Sequence, residues 1–419
     1  MTISPSFNIV AKPEVPPHHS VAFTRTGNAY RVNKFGILEN MGQNVLRHDY
    51  DPSTGQYLGW LIEAAATNYL LQSNNFNTSW SKSNLTAVYN TVGPDNVANS
   101  ACTLTDSVDA SPTNHSVAQG IAQTANRAVS LSVWVKPGTG RYISLFAAES
   151  ALTFGNDGIQ AVFDLQTLSI SAYNTGTGSG ATGRIIAYAN GWYRLSLVGQ
   201  PSTQSTGSTL YARISTDGDM TANMAYQGTG STWYLFGAQF ELDYLGATSY
   251  IPTTTTSATR NVDYLRSTSL NWFNYSEGTF YTEFKFIATA STINHTPFNI
   301  TDGNILNRKY QAFSQNSGQC SYRESIAGSG LASVTYGVTS LPTGFVKSAG
   351  RYMLGNLDSS ANGAFGSTTA SSFITSGLTT LCLGSANGSS SSGMNGWIRE
   401  FAYFPKGLSD SDMKVLTCS

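Results

Sequence analysis

Residues 129–136 alternate strictly: Val129, Leu131, Val133 and Val135 point one way, Ser130, Ser132, Trp134 and Lys136 the other. A period of two suits a pleated strand with one buried face. The same pattern returns at 142–146, 160–164, 184–188, 191–198, 209–215 and 231–242, with Gly- and Ser-rich breaks such as 175–180 between the runs. A sheet with one apolar face must bury it against another layer, so these short strands predict a β-sandwich over residues 68–265. Residues 266–419 read as a second one. Phe280, Phe284 and Phe286 share a face, 351–355 and 380–384 are further strand candidates, and 395–416 reads as a last strand, a turn and a short helix. Ser409 and Asp412 have the spacing of a helix N-terminus there.

Residues 23–67 also lack a helical face. Turn chemistry interrupts them at Gly36, at Asn40-Met41-Gly42 and above all at Asp51-Pro52-Ser53-Thr54-Gly55. Pro52 presets φ for a turn and Gly55 can take positive φ, so small β-hairpins are expected. Residues 1–22 hold four prolines and little periodicity; they read either as an extended arm reaching a neighbour or as a loose terminus. The fold class expected is all-β: two tandem β-sandwich (jelly-roll) domains, 68–265 and 266–419, preceded by a hairpin-rich attachment region.

Charged residues make up 11% of the 419, against roughly 25% in an average soluble protein. The net charge of −1 gives no footprint for nucleic acid or an anionic membrane. No run of about 18 apolar residues predicts a membrane span, and the opening Met1-Thr2-Ile3-Ser4-Pro5 lacks the pattern of a signal peptide. Cys102, Cys320, Cys382 and Cys418 lie far apart without a CxxC pair, so no zinc site is expected. A chain made and kept reduced in the cytosol is the simple reading.

Several segments resemble a family. Phe23-Thr24-Arg25, the run Asn44, Val45, Arg47, Asp49, Tyr50, Asp51, Pro52 and Gly55, and the run Leu58, Gly59, Leu61, Ile62, Glu63, Thr67, Asn68 and Leu70 resemble a pattern in tailed-phage and prophage virion proteins. Residues 131–137, 190–195 and 233–241 are similar to strands of the carbohydrate-binding-module-like jelly rolls found in phage proteins, with 249–253 and 258–260 as their exit. The ending 395–416 is similar to the last strand of concanavalin A/laminin-G-like sandwiches. The resemblance implies a bacteriophage virion structural protein: a tail fibre or host-recognition component, assembled in the host cytoplasm, commonly a homotrimer. Its residues 1–70 would meet other virion proteins.

Glycan binding needs a flat ring against a pyranose and amides or carboxylates for its hydroxyls. Trp134, Trp192, Trp233 and Tyr142 are the aromatic candidates, with Asn156, Asp157 and Gln239 as polar partners; the competing role for each ring is core or interface packing. Asp217-Gly218-Asp219 and Asp302-Gly303-Asn304 cluster oxygens and read either as hairpin turns or as a structural calcium site, which needs six or more oxygens. Glu241-Leu242-Asp243 resembles part of a glucanase strand, but Leu245 stands where a third carboxylate belongs. These two acids read as a solvated strand end, and no catalytic constellation is assigned. The function expected is therefore weak, multivalent binding of cell-surface glycans by many copies on one particle. The alternative is a head or baseplate decoration (cement) protein making mainly protein contacts; a glycan depolymerase ranks last.

Overall fold

The computed structural model describes residues 4–418 apart from 19, 124–125, 150–156, 204–208, 288–293, 305, 315–318, 338–343, 367–375 and 386–392. Those residues form two stacked-sheet units, and the all-β expectation holds. In the first unit one antiparallel sheet runs Ser179–Ala187, Tyr193–Gln200, Val129–Pro137, Thr232–Leu242, Ala101–Asp106, Leu85–Thr91. Its partner runs Ile170–Thr175, Gly158–Asp164, Tyr142–Glu149, Leu210–Asp217, Ser116–Ile121, Ser81–Ser83. The period-two pattern explains the core. Leu131, Val133, Val135, Leu195, Leu197, Ile143, Leu145 and Ile159 all point between the sheets and are fully buried.

The second unit is assembled from both ends of the chain. Val346–Met353, Glu277–Phe286 and Gly396–Phe404 form the middle of one sheet. Tyr57–Ile62 and then Arg47–Tyr50 extend it, pairing Trp60 with Ile398 and Leu61 with Trp397. Phe7–Val10 pairs with the other half of the same strand, Phe7 opposite Tyr403 and Ile9 opposite Phe401. In the facing sheet, Ala22–Thr24 adds to Tyr264–Ser267, which pairs with Thr380–Leu383. Phe7, Ile9, Val21, Leu46, Trp60 and Ile62 share one core with Phe280, Phe284, Phe298 and Phe401.

The first 67 residues therefore need two corrections. Residues 7–10 are a sheet strand with alternate side chains buried, not part of an extended arm or a loose terminus. Residues 23–62 do not form a separate attachment region, because their strands supply apolar faces the second core lacks without them. The first sandwich is an insertion into the second. Its incoming strand Ala66–Asn68 and outgoing strand Ala258–Arg260 lie side by side, Ala66 opposite Arg260.

The hairpin of Ala29–Val32 and Leu38–Met41 bridges the units. Val32 and Leu38 pack with Trp134, Trp192, Phe236 and Tyr250, covering the outward face of the sheet that contains Val129–Pro137. Gly237, at φ +65°, lets that sheet bulge beneath Trp134; a Cβ there would stand 2.8 Å from the indole. The helix Asp410–Thr417 closes the second unit as expected, with Ser409 Oγ accepting from the Asp412 N–H. Met413 is fully buried beside Tyr281 and Phe404.

Candidate functional site

The motif residues of 23–76 build the joint between the sandwiches. Arg25 donates to the carbonyl of Gly42 at 2.7 Å and to Asp263 Oδ1 at 3.2 Å. Arg47 bonds Glu63 Oε2 at 2.7 Å, Ser249 Oγ at 2.9 Å and the other oxygen of Asp263. Glu63 accepts the Ser249 N–H at 2.8 Å and lies 3.3 Å from Arg260, which donates to the Ala64 carbonyl at 2.6 Å. The side chains of Arg25, Arg47, Glu63 and Asp263 have no solvent exposure. Burial alone would raise the Glu63 carboxyl; Arg260, Arg47 and the Ser249 hydrogen bonds outweigh it and bring it down to about 2. Asp49 accepts from the Val32 N–H and from Trp397 Nε1, both at 2.7 Å, tying the hairpin to the second unit.

The expected glycan-binding residues do not come together in the open. Trp134 and Trp192 lie beneath the hairpin at 0% and 1% exposure, Trp134 edge-on to Tyr188, Phe236 and Tyr250 with the Arg194 guanidinium 4.2 Å over its ring. Trp233 is 1% exposed in the first core, with Gly140 against its indole. A ring with no free face cannot stack on a sugar, so these three are corrected to packing residues. Gln239 is buried too, accepting from the Ile251 N–H at 2.8 Å. Tyr142 is half-buried with Arg141 over its ring at 4.8 Å, Asp157 accepts from the Thr177 N–H at 2.8 Å, and Asn156 lies outside the described residues.

Side-chain to backbone hydrogen bonds hold the acidic turns. Asp219 Oδ1 accepts from the Thr221 N–H and Asp302 Oδ1 from the Asn304 N–H, both at 2.8 Å. Asp217 is buried, its carboxyl pushed up to about 7 by burial. Among the described residues no three His, Cys, Asp or Glu side chains gather as metal ligands would. Glu241 is not a solvated strand end: it is fully buried, accepts the Thr248 N–H at 3.0 Å, and burial raises its carboxyl. Asp243 sits past the end of that strand at φ +64° and pairs with Arg127, so the two acids do not work one face together.

A cleft of ≈ 760 Å³ opens instead where the two units meet. That is within the range of about 300–1,000 Å³ usual for small-ligand sites. Thr182 and Arg184 from the edge strand, with Ser196, Val198 and Gln200 from its neighbour, form one wall; Lys285, Phe286 and Ile287 form the other, and Leu245-Gly246 adjoins them. Alternation sends Leu195 and Leu197 to the core, leaving Ser196, Val198 and Gln200 on the outward face. Lys285 Nζ lies 6.0 Å from the Phe345 ring centroid and 5.9 Å from that of Trp397. Burial, then the positive charge of Arg184, hold its ammonium below the ordinary lysine value; Asp51 opposes this and Arg399 adds to it. Sequence reasoning missed this site. Its two cations lie on strands that meet only through the insertion, and neither has a recognisable local motif.

No protein-family model and no curated protein matches the chain. Among solved structures it is similar to the carbohydrate-binding module (CBM40) of the Ruminococcus gnavus IT-sialidase bound to α2,3-sialyllactose, at 15% identity over 34% of this chain and 84% of that one, TM-score 0.29. It is also similar to domains LG4-5 of the mouse laminin α1 chain, at 9% identity over 83% and 92%, TM-score 0.26. A Trypanosoma rangeli sialidase in complex with sialic acid follows at 10% identity over 76% and 60%, TM-score 0.28. Likeness this distant carries no information about ligand or activity.

Proposed function

We propose that the chain is a glycan-binding protein that holds saccharides without cleaving them, with the cleft between its sandwiches as the binding site. The observation that carries this reading is the composition of the cleft walls. Hydroxyl and amide groups of Thr182, Ser196 and Gln200 stand beside the apolar Val198 and Ile287 and two cations. Such a surface suits a ring with polar edges and C–H faces. Single-site affinity would be weak, and copies arrayed on one particle would add avidity. A tailed-phage virion component in host recognition, trimeric and joined to other virion proteins, is the finer form of the proposal. Its support is the motif resemblance at 23–76. The test is a glycan array probed with the full chain: saccharide-dependent retention is the expected outcome, and absence of retention on every saccharide contradicts it.

The decoration-protein reading has its own observation. Val88, Tyr89, Val92 and Val97 are exposed along and just beyond the sheet-edge strand Leu85–Thr91. An apolar, unpaired edge is a surface for another protein. Under that reading Val88→Lys with Val97→Lys abolishes association with the particle and leaves saccharide binding unchanged.

A further inference from the structure

We infer that the cleft selects acidic saccharides, with Arg184 and Lys285 holding the negatively charged group of the sugar; this rests on the glycan-binding reading and narrows it. Eight arginines of the described residues (25, 31, 47, 127, 141, 260, 351 and 399) form ion pairs with a carboxylate of this chain. Arg184 and Lys285 form none among the described residues, which include every Asp and Glu of the sequence; Arg194, Arg266, Arg308 and Arg323 also form none, but only Arg184 and Lys285 line the cleft. In a chain with so few charges, two cations face one cavity with no carboxylate in ion-pair contact, Asp51 acting on Lys285 only at longer range.

Two like charges at one cleft repel each other, and partial burial of Lys285 adds a desolvation cost. A bound anion offsets both penalties. Arg184, exposed on the edge strand, offers a planar fork that can grip a carboxylate or sulfate through two hydrogen bonds. Lys285, half-buried on the opposite wall, supplies a point charge. Gln200 and Ser196 lie on the Arg184 side as partners for hydroxyls, and Val198 and Ile287 supply apolar contact. Carboxylate and sulfate share this chemistry, so the source of the anion is left to experiment.

The experiment titrates the full chain with three oligosaccharides by calorimetry: oligogalacturonate for carboxylate, sulfated dextran oligomers for sulfate, and neutral malto-oligosaccharide. Oligogalacturonate, sulfated oligomers or both are expected to bind more tightly than the neutral probe, with affinity falling as salt rises. Arg184→Ala and Lys285→Gln should each weaken acidic binding by at least about tenfold, close to 1.4 kcal/mol. Unchanged circular dichroism and melting temperature would show that each variant folds. Equal affinity for neutral and acidic probes, or acidic binding untouched by both variants, overturns the inference and leaves the glycan-binding reading standing. No binding of any of the three probes overturns the inference, and the glycan array then decides the glycan-binding reading.

Discussion

Taking one member out of a buried ion cluster leaves its partner charged and dry, which costs about 3–5 kcal/mol even where the intact cluster adds little net stability. Glu63 is such a member, facing Arg47 and Arg260. Glu63→Gln is therefore expected to lower unfolding stability by about 3–5 kcal/mol in urea, far more than Glu39→Gln at a half-exposed pair. The folded Glu63 carboxyl lies at about 2, below its ordinary 4.5, so its contribution is complete above about 4.5 and is lost as pH falls toward 2. Melting temperature followed over that window should drop less steeply in Glu63→Gln than in the parent chain. Residue-scale reading of the sequence went wrong at Trp134 for a physical reason. Alternation puts it opposite the core correctly, but a hairpin some hundred residues earlier turns that outward face into an interface.

At the scale of single elements, local pattern was legible and long-range pairing was not. The strand Val129–Pro137 and the Ser409 cap lie where period and spacing put them. Phe7–Val10 carries the same alternation over four residues, yet its partner Gly396–Phe404 comes at the other end of the chain. No local feature encodes that match. Phe7 stacks on Trp272 with ring centroids 4.4 Å apart and meets Phe401 edge-on at 6.3 Å. Phe7→Ala is expected to destabilise the second unit by about 3 kcal/mol, the usual cost of a large cavity under a sheet. Hydrogen exchange would locate the loss in 277–286 and 396–404, with the first sandwich unaffected.

For the whole molecule, the insertion decides which pieces can fold alone. Residues 68–260 own a complete core and are expected to give a cooperatively unfolding fragment. Residues 266–419 lack Phe7, Ile9, Leu46, Trp60 and Ile62 and are expected to stay unfolded, as read by circular dichroism and proteolysis, until 1–67 are supplied. The two sandwiches were visible in the sequence; their nesting was not, because Arg25 and Asp263 stand 238 positions apart and neither carries a local sign of the other. The same nesting brings Arg184 and Lys285 to one cleft. A crystal structure of the full chain with whichever acidic oligosaccharide binds more tightly tests this most directly. The account predicts sugar density between Arg184 and Lys285. Density confined to another surface, such as the half-buried ring of Tyr142, would contradict it.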